Sequence, residues 1–284
     1  MAKVLFIINP KAGTKRSKDS VLAALNGCIH DWSAVWTEYP GHATELAAAS
    51  DADIVVAVGG DGTVNEVARA LVNTDKVLGI IPCGSGNGLA LHLGIKRSPA
   101  RAVDIINNAK IIPVDTATID GHPFFCTCGV GLDAEVSRNF AKAGNRGLKT
   151  YVEQSINTYA RYKPCKYILD FDGKTVKHSA LLITVANANQ WGNNAKIAPN
   201  ASLTDGLLEI TVIKSFPKIG TPELLAALLV GAIDKSRFVK SYKAREIKIL
   251  RDSEGPGHAD GDPINPGEEI NISVIPSSLK VIIP

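Results

Sequence analysis

"DIVVAVGGDGTVNEVARAL", residues 53–71, decides the fold. It opens as a continuous apolar run, breaks at Gly59-Gly60-Asp61-Gly62, and resumes at Thr63 with helical periodicity. An apolar run of that length suits a strand covered on both faces, as in a parallel α/β sheet. A plain turn needs one glycine with positive φ and accepts Asp or Asn beside it. Three glycines around a carboxylate leave room for a ligand against the backbone. Thr63-x-x-Glu66 fits a capping box, which predicts a helix over 63–71.

Working outward, residues 4–8, 34–37 and 77–82 read as further strands, and residues 19–25 and the "GHATELAAAS" stretch as helices. Alternation of strand and helix through residue 112 predicts a doubly wound sheet with ligands at the carboxyl ends of its strands. After Pro113 short β-rich segments dominate, at 114–119, 124–130, 167–171, 180–186, 207–213, 247–250 and 270–275. Turn signals at Asp120-Gly121, Asp172-Gly173 and Asp205-Gly206 make this part mostly antiparallel, with helical insertions at about 134–161 and 223–233. The expected organisation is α/β plus mostly-β: an α/β domain over 1–113, a β-rich domain over 114–275, and a last strand over about 276–284 returning to the first domain.

The bulk composition agrees with two ordinary globular domains: 284 residues, 45% hydrophobic and 21% charged. A net charge of +3 does not call for a nucleic-acid partner. The longest apolar helical stretch, residues 224–233, is about half a membrane span, and the start "MAKVLFIINPKAG" lacks a signal-peptide pattern, so a cytoplasmic chain is expected. Five cysteines without a CxxC pair read as reduced, mostly buried thiols rather than a zinc site.

Three glycine-bearing turns each follow a strand: Asn9 to Gly13, Gly59 to Thr63, and Pro82 to Gly88. Glycine-rich turns that open helices present backbone N–H groups to anions, so three on one sheet edge would cradle a polyphosphate. Neither a P-loop nor a dinucleotide fingerprint in its proper context is present. Asp61 would then hold Mg²⁺ against the phosphates, and Asp61→Ala would abolish activity while leaving the fold intact. Asp205-Gly206 reads first as a hairpin turn and alternatively as a cation site, through Asp205 and nearby carbonyls such as those of Ser202 and Leu207. In "HADGDPI", Asp260 and Asp262 stand two apart, which on a strand would put both on one face as base and metal ligand, or else form a turn. Basic clusters at 138–166 and 234–251 read as solvated faces or as attraction toward an anionic membrane; His42 and His258 read as capping or packing groups.

Taken in order, these strings resemble the diacylglycerol kinase catalytic-domain family, which includes bacterial soluble diacylglycerol kinases, YegS-like lipid kinases and sphingosine and ceramide kinases. "NPKAG", "TEYPGHATELA", "VVAVGGDGTVNEV", "IPCGSGNGLALHLGI", "GVGLDAEV", "DGLLEITVI", "ADGDPI" and "VIPSSLKVIIP" carry the resemblance along essentially the whole chain. It implies an NAD kinase/phosphofructokinase-like first domain, a β-sandwich-like second domain that takes the lipid, and ATP- and Mg²⁺-dependent phosphorylation of a lipid hydroxyl, as in phospholipid biosynthesis. ATP would be lined by Asn9, Pro10, Lys11, Ala12, Gly13, Thr37, Gly59, Gly60, Asp61, Gly62, Thr63, Val64, Asn65, Glu66, Gly84, Ser85 and Asn87. Ser202, Asp205 and Leu207 would hold a structural Mg²⁺. The catalytic base would be one of Asp262, Asp260 and Asp61, the family's usual Asp-Gly-Glu being Asp260-Gly261-Asp262 here. Gly84 to Leu89 is closer to the GSGNxL of sphingosine-type kinases. The implied partners are a lipid substrate, the inner membrane face by peripheral contact, and a second copy as homodimer. An NAD kinase-like enzyme or a non-catalytic nucleotide- or lipid-binding homologue are the rival readings.

Overall fold

A computed structural model describes residues 1–142, 157–159 and 161–284. Two compact units divide the chain, one of residues 1–116 and 276–284 and the other of residues 117–275.

In the first unit the chain runs β1 (Lys3–Ile8), α1 (Lys15–Leu25), β2 (Asp31–Trp36), α2 (His42–Ala49), β3 (Ile54–Gly59), α3 (Asp61–Leu71), β4 (Val77–Pro82), α4 (Gly88–His92) and α5 (Pro99–Asn108). The strands are parallel in the order β2-β1-β3-β4, and Lys280 and Val281 of the last strand extend the sheet beyond β4. β3 and β4 are buried at every position, as helices on both faces of a parallel sheet require. Because β2 and β3 lie on opposite sides of β1, the sequence order reverses there, and the carboxyl ends of β1 and β3 form the switch point at which such sheets bind ligands.

α3 begins at Asp61, not Thr63, and no capping box forms. Its N-cap Gly60 supplies no side-chain bond. Thr63 Oγ1 instead accepts from Asn9 Nδ2 (3.0 Å), and Glu66 Oε2 accepts the Ala43 N–H (3.2 Å). Glu66 therefore caps α2, whose own N-cap is Gly41 at φ 90°.

The second unit contains β6 (His122–Phe124), β7 (Thr127–Gly131), α6 (Leu132–Lys142), β8 (Cys165–Phe171), β9 (Lys174–Ala186), β10 (Leu208–Lys214), a helix at Thr221–Val230, β11 (Val239–Ala244), β12 (Glu246–Arg251), β13 (Gly257–Ala259) and β14 (Asp262–Ile264), with the ends of two strands shared with the first unit, β5 (Lys110–Ile119) and β15 (Glu269–Ile283). Its pairings are antiparallel. The long β9 joins β8 through its first half and lies between β7 and β10 through its second, so one strand serves both layers of a β-sandwich. Ile183, Val185, Leu208, Ile210 and Val212 point into the inner core, and alternation turns Leu182, Ala186 and Ile213 to an outer cluster under the Thr221–Val230 helix.

Some expectations hold here and others need correction. The stretch 124–130 is two strands, broken at Phe125-Cys126. β11 falls in what reads as a basic cluster. Asp120-Gly121 and Asp172-Gly173 are two-residue hairpin turns with positive φ at both residues. Asp205-Gly206 is not one, since the strands paired to β10 are β9 and β11; Asp260-Gly261, with φ 50° and 87°, is. Of the thiols only Cys128 is fully buried, Cys165 is exposed, and the others are half-buried. Arg146, Lys149 and residues 143–156 of the expected insertion lie outside the described residues. Among the described residues, no helix is long and apolar enough to cross a membrane.

Candidate active site

The three glycine turns of the first unit converge at the carboxyl edge, and protein contacts account for most of their glycines. Asn9, at the end of β1, joins Thr63 and turns its Oδ1 back to the Lys11 N–H (2.8 Å), closing the loop to Gly13. A Cβ on Gly59 would lie 2.4 Å from Thr63 Oγ1, and one on Gly84 would lie 2.5 Å from Gly60 Cα, so the second and third turns pack backbone on backbone. Gly62 alone of the first three faces open space, with nothing within 4 Å of a Cβ built there. Thr37, just past β2, is buried with its N–H on the Ile8 carbonyl, while Val64 and Asn65 are buried within α3. Pro10, Lys11 and Ala12 keep partial or full exposure at the rim, as does Ser85, whose carbonyl accepts from Arg97.

Asp61 has a structural task that sequence did not suggest. Its Oδ2 accepts the Asn87 N–H (2.8 Å) and its Oδ1 the Gly88 N–H (2.6 Å), so it caps α4 across the gap between turns. Gly86 permits this, because a Cβ there would sit 2.5 Å from Asp61 Oδ2. Asn87, in the left-handed region at φ 56°, bonds Gly84 through both its side-chain oxygen and nitrogen. The N-terminus of α4 is thus satisfied internally, whereas α3 begins without a side-chain cap. Asp61→Ala is accordingly expected to lower stability by about 1–2 kcal/mol, the worth of a strong N-cap, rather than leave the fold untouched. Thermal denaturation of the purified variant checks this.

In the second unit Asp260 and Asp262 do not share a strand face. Asp260 occupies the hairpin turn between β13 and β14, and Asp262 begins β14, paired with Ala259. The Asp260 carboxylate accepts three backbone N–H groups, from Phe125 (2.8 Å), Cys126 (2.8 Å) and Thr127 (2.9 Å), which explains the break between β6 and β7. Asp262 is exposed. Two further groups brace the hairpin. His258 Nδ1 accepts the Gly261 N–H (3.3 Å), leaving its ring proton on Nε2 for Asp133 Oδ2 (3.2 Å), which also accepts from Thr184 Oγ1 (2.8 Å). Gly129 makes room for this buried pair, since its Cβ would lie 2.5 Å from Asp133 Oδ2 and 2.9 Å from His258 Nε2. Arg251 donates to the carbonyls of Gly255, Pro256, Pro266 and Gly267 on either side of the hairpin; it is a structural clamp, not part of a solvated basic face. His42 packs rather than caps, accepting the Glu38 N–H ahead of α2 and stacking on Tyr39.

The Ser202–Leu207 segment offers oxygen donors of the kind hard cations take. Asp205 Oδ1 accepts the Leu207 N–H (3.1 Å), and Oδ2 pairs with Lys243 Nζ (2.8 Å). Among the described residues no group of three or more His, Cys, Asp or Glu is placed to hold a metal, so a site here must use main-chain carbonyls. Two further acidic side chains stand nearby. Glu209 is 2% exposed with Asn200 beside its carboxylate, and Asp234 leaves Oδ1 without a hydrogen-bond partner. Burial pushes the Glu209 carboxyl up to about 7, with Asp234 adding to the rise while Asn200 and Lys243 oppose it. The Asp205 carboxylate and the neighbouring main-chain carbonyls are the oxygen donors a divalent cation takes, and for it Lys243 would give up its hold on Asp205.

A carboxyl raised in the folded state stabilises folding while protonated. Its contribution is complete below the ordinary value of 4.5 and is lost as pH rises through about 7. Between those limits the unfolding temperature is expected to fall with pH more steeply in the unaltered chain than in Glu209→Gln, as a pH series of melts in chelator would show.

Comparison with known proteins bears on these motifs. Residues 3–119 match the diacylglycerol kinase catalytic domain, and residues 126–283 match the YegS C-terminal NAD kinase beta sandwich-like domain. The chain belongs to the diacylglycerol kinase and YegS-like lipid kinase family. The diacylglycerol kinase of Bacillus subtilis (strain 168) is 27% identical over 96% of this chain and 94% of its own. A protein named "Probable lipid kinase YegS-like" from Enterobacter sp. (strain 638) is 27% identical over 99% of this chain and 95% of its own. A crystal structure of a diacylglycerol kinase from Bacillus anthracis str. Sterne shares the fold, with a TM-score of 0.77 at 23% identity over 100% of this chain and 97% of that one. His258 packs, as expected of it, but its pairing with Asp133 could not be read from sequence because the two lie 125 residues apart, and the clamp role of Arg251 is hidden in a run of basic residues.

Proposed function

We propose that this chain is an ATP- and Mg²⁺-dependent kinase that transfers the γ-phosphate to a hydroxyl of a lipid such as diacylglycerol or a sphingoid base, working from the cytoplasm by peripheral contact with the inner membrane face. One observation carries the assignment of roles: of the three candidate carboxylates, Asp61 and Asp260 spend their oxygens on backbone amides, while Asp262 is exposed on a braced hairpin.

On this reading the first unit binds ATP. The uncapped first turn of α3, with Gly62 open above it, offers N–H donors and the positive end of the helix dipole to the phosphates. Asn9 and Thr63 hold the neighbouring loop at a fixed distance, and Asp61 orders the third turn rather than acting as the base. In the second unit Asp262 accepts the hydroxyl proton as the acceptor oxygen bonds to the γ-phosphorus and the bond to the ADP oxygen breaks. The carboxylate of Asp205 and the carbonyls of Ser202 and Leu207 would hold Mg²⁺, which supplies charge neutralisation when bound. Positioning and electrostatics then account for most of the catalysis.

The test is incubation with γ-labelled ATP and a total lipid extract, followed by mass identification of the labelled product. A phosphorylated lipid is expected; label on NAD and on no lipid would overturn the reading.

A further inference from the structure

The Thr221–Val230 helix is apolar on the side that faces away from its own unit. Leu224 is buried and Ala227 and Leu228 pack toward the outer cluster, which leaves Pro222, Leu225, Ala226, Leu229 and Val230 outward. Leu225 is 55% exposed, Leu229 60% and Val230 73%, with Ile219 just before the helix at 89%. Spacings of three and four residues link Pro222, Leu225, Ala226, Leu229 and Val230 on one face, where Glu223 is the single charged neighbour on the helix itself. Large apolar residues concentrated in this way need a cover.

Charge around the stripe indicates which cover. Lys196 runs alongside Gly231 at the C-terminal end of the helix, its N–H bonded to the Leu228 carbonyl. The chain leaving the helix carries Lys235 and Arg237, both exposed, and the Arg237 guanidinium lies 4.8 Å above the Phe238 ring, itself packed against Gly220 at the N-terminal end. Lys214, bonded to Phe238 through its N–H, adds a fourth cation. On the acidic side stand Glu223 and the half-buried Asp234. An apolar stripe with a basic rim on a helix far too short to span a bilayer is the arrangement that settles into an anionic lipid surface.

We infer that the Thr221–Val230 helix, with Ile219 and the Lys196, Lys214, Lys235 and Arg237 rim, is a surface that docks this protein onto anionic membranes. The inference rests on the lipid-kinase reading for its purpose but not for its test. The apolar residues enter the headgroup boundary, while the rim pairs with lipid phosphates. This differs from the sequence expectation, which assigned membrane contact to basic residues alone.

The experiment is co-sedimentation of the full chain with phosphatidylcholine vesicles, with and without phosphatidylglycerol, compared with a Leu225→Gln/Leu229→Gln variant that leaves the charge unchanged. Binding to the anionic vesicles is expected, falling at least about tenfold in the variant. Transfer to a short-chain, water-soluble diacylglycerol should be equal in both proteins. Equal vesicle binding by both would overturn the inference. So would an unaltered chain that ignores vesicles but sediments as a dimer which the variant dissociates, since the stripe would then be a self-association surface. If neither protein phosphorylates the soluble acceptor, the lipid-kinase reading fails while vesicle binding still decides the surface.

Discussion

Asp262→Asn is expected to remove phosphoryl transfer by about 10²–10⁴-fold, the usual worth of a positioned base, while moving stability by no more than about 0.5 kcal/mol. The small structural effect follows from its exposure at the start of β14. The large kinetic effect follows from exclusion: Asp61 and Asp260 point their oxygens at amides that would otherwise be left without acceptors. Asn has the shape of Asp and cannot take the proton. Asp262→Glu keeps the carboxylate and lengthens it by one methylene, so it should retain at least partial activity. Initial rates with ATP and diacylglycerol micelles, normalised to folded protein, separate these outcomes.

Asp260→Ala should do the reverse. Three N–H groups at Phe125, Cys126 and Thr127 lose their acceptor together, and at about 1–3 kcal/mol for each buried unmade bond the loss is at least about 3 kcal/mol. The left-handed backbone at Asp260, φ 50°, adds to it, since alanine tolerates that region less readily than Asp. Activity should fall in parallel with folded fraction, because Asp262 depends on this turn for its place. Asp260→Asn, which keeps one acceptor oxygen and the turn preference, should lie between. Urea denaturation of the three proteins gives the order, and a fully stable alanine variant would contradict the assignment.

Much of the architecture was legible in sequence. Continuous apolar runs such as IVVAVG and VLGIIP are the mark of doubly covered parallel strands, and they are buried throughout. The second unit was harder. Among the described residues β11 pairs only with β10, and its lysines and serine at 240, 241 and 243 are the exposed polar residues an edge strand carries, so it read as a basic cluster. Two Asp-Gly dipeptides with the same local chemistry parted company because tertiary pairing selects the turn: Asp260-Gly261 closes a hairpin and Asp205-Gly206 does not. At the candidate site the glycines were conspicuous, yet packing contacts to Thr63, Gly60 and Asp61 explain Gly59, Gly84 and Gly86 before any ligand is invoked. His258 was legible as a packing group, but its pairing with Asp133, 125 residues away, was not. Glu209 was visible as an acid inside an apolar strand, LEITVIK, and that conflict with its surroundings is the trace by which it could have been found.

The most direct test of the account is a parallel assay of purified protein with γ-labelled ATP, offering diacylglycerol, a sphingoid base and NAD as separate acceptors, each with Mg²⁺ and with chelator. Label is predicted on a lipid hydroxyl only when Mg²⁺ is present and Asp262 is intact. Transfer to NAD alone, or lipid phosphorylation undiminished in Asp262→Asn, would contradict it.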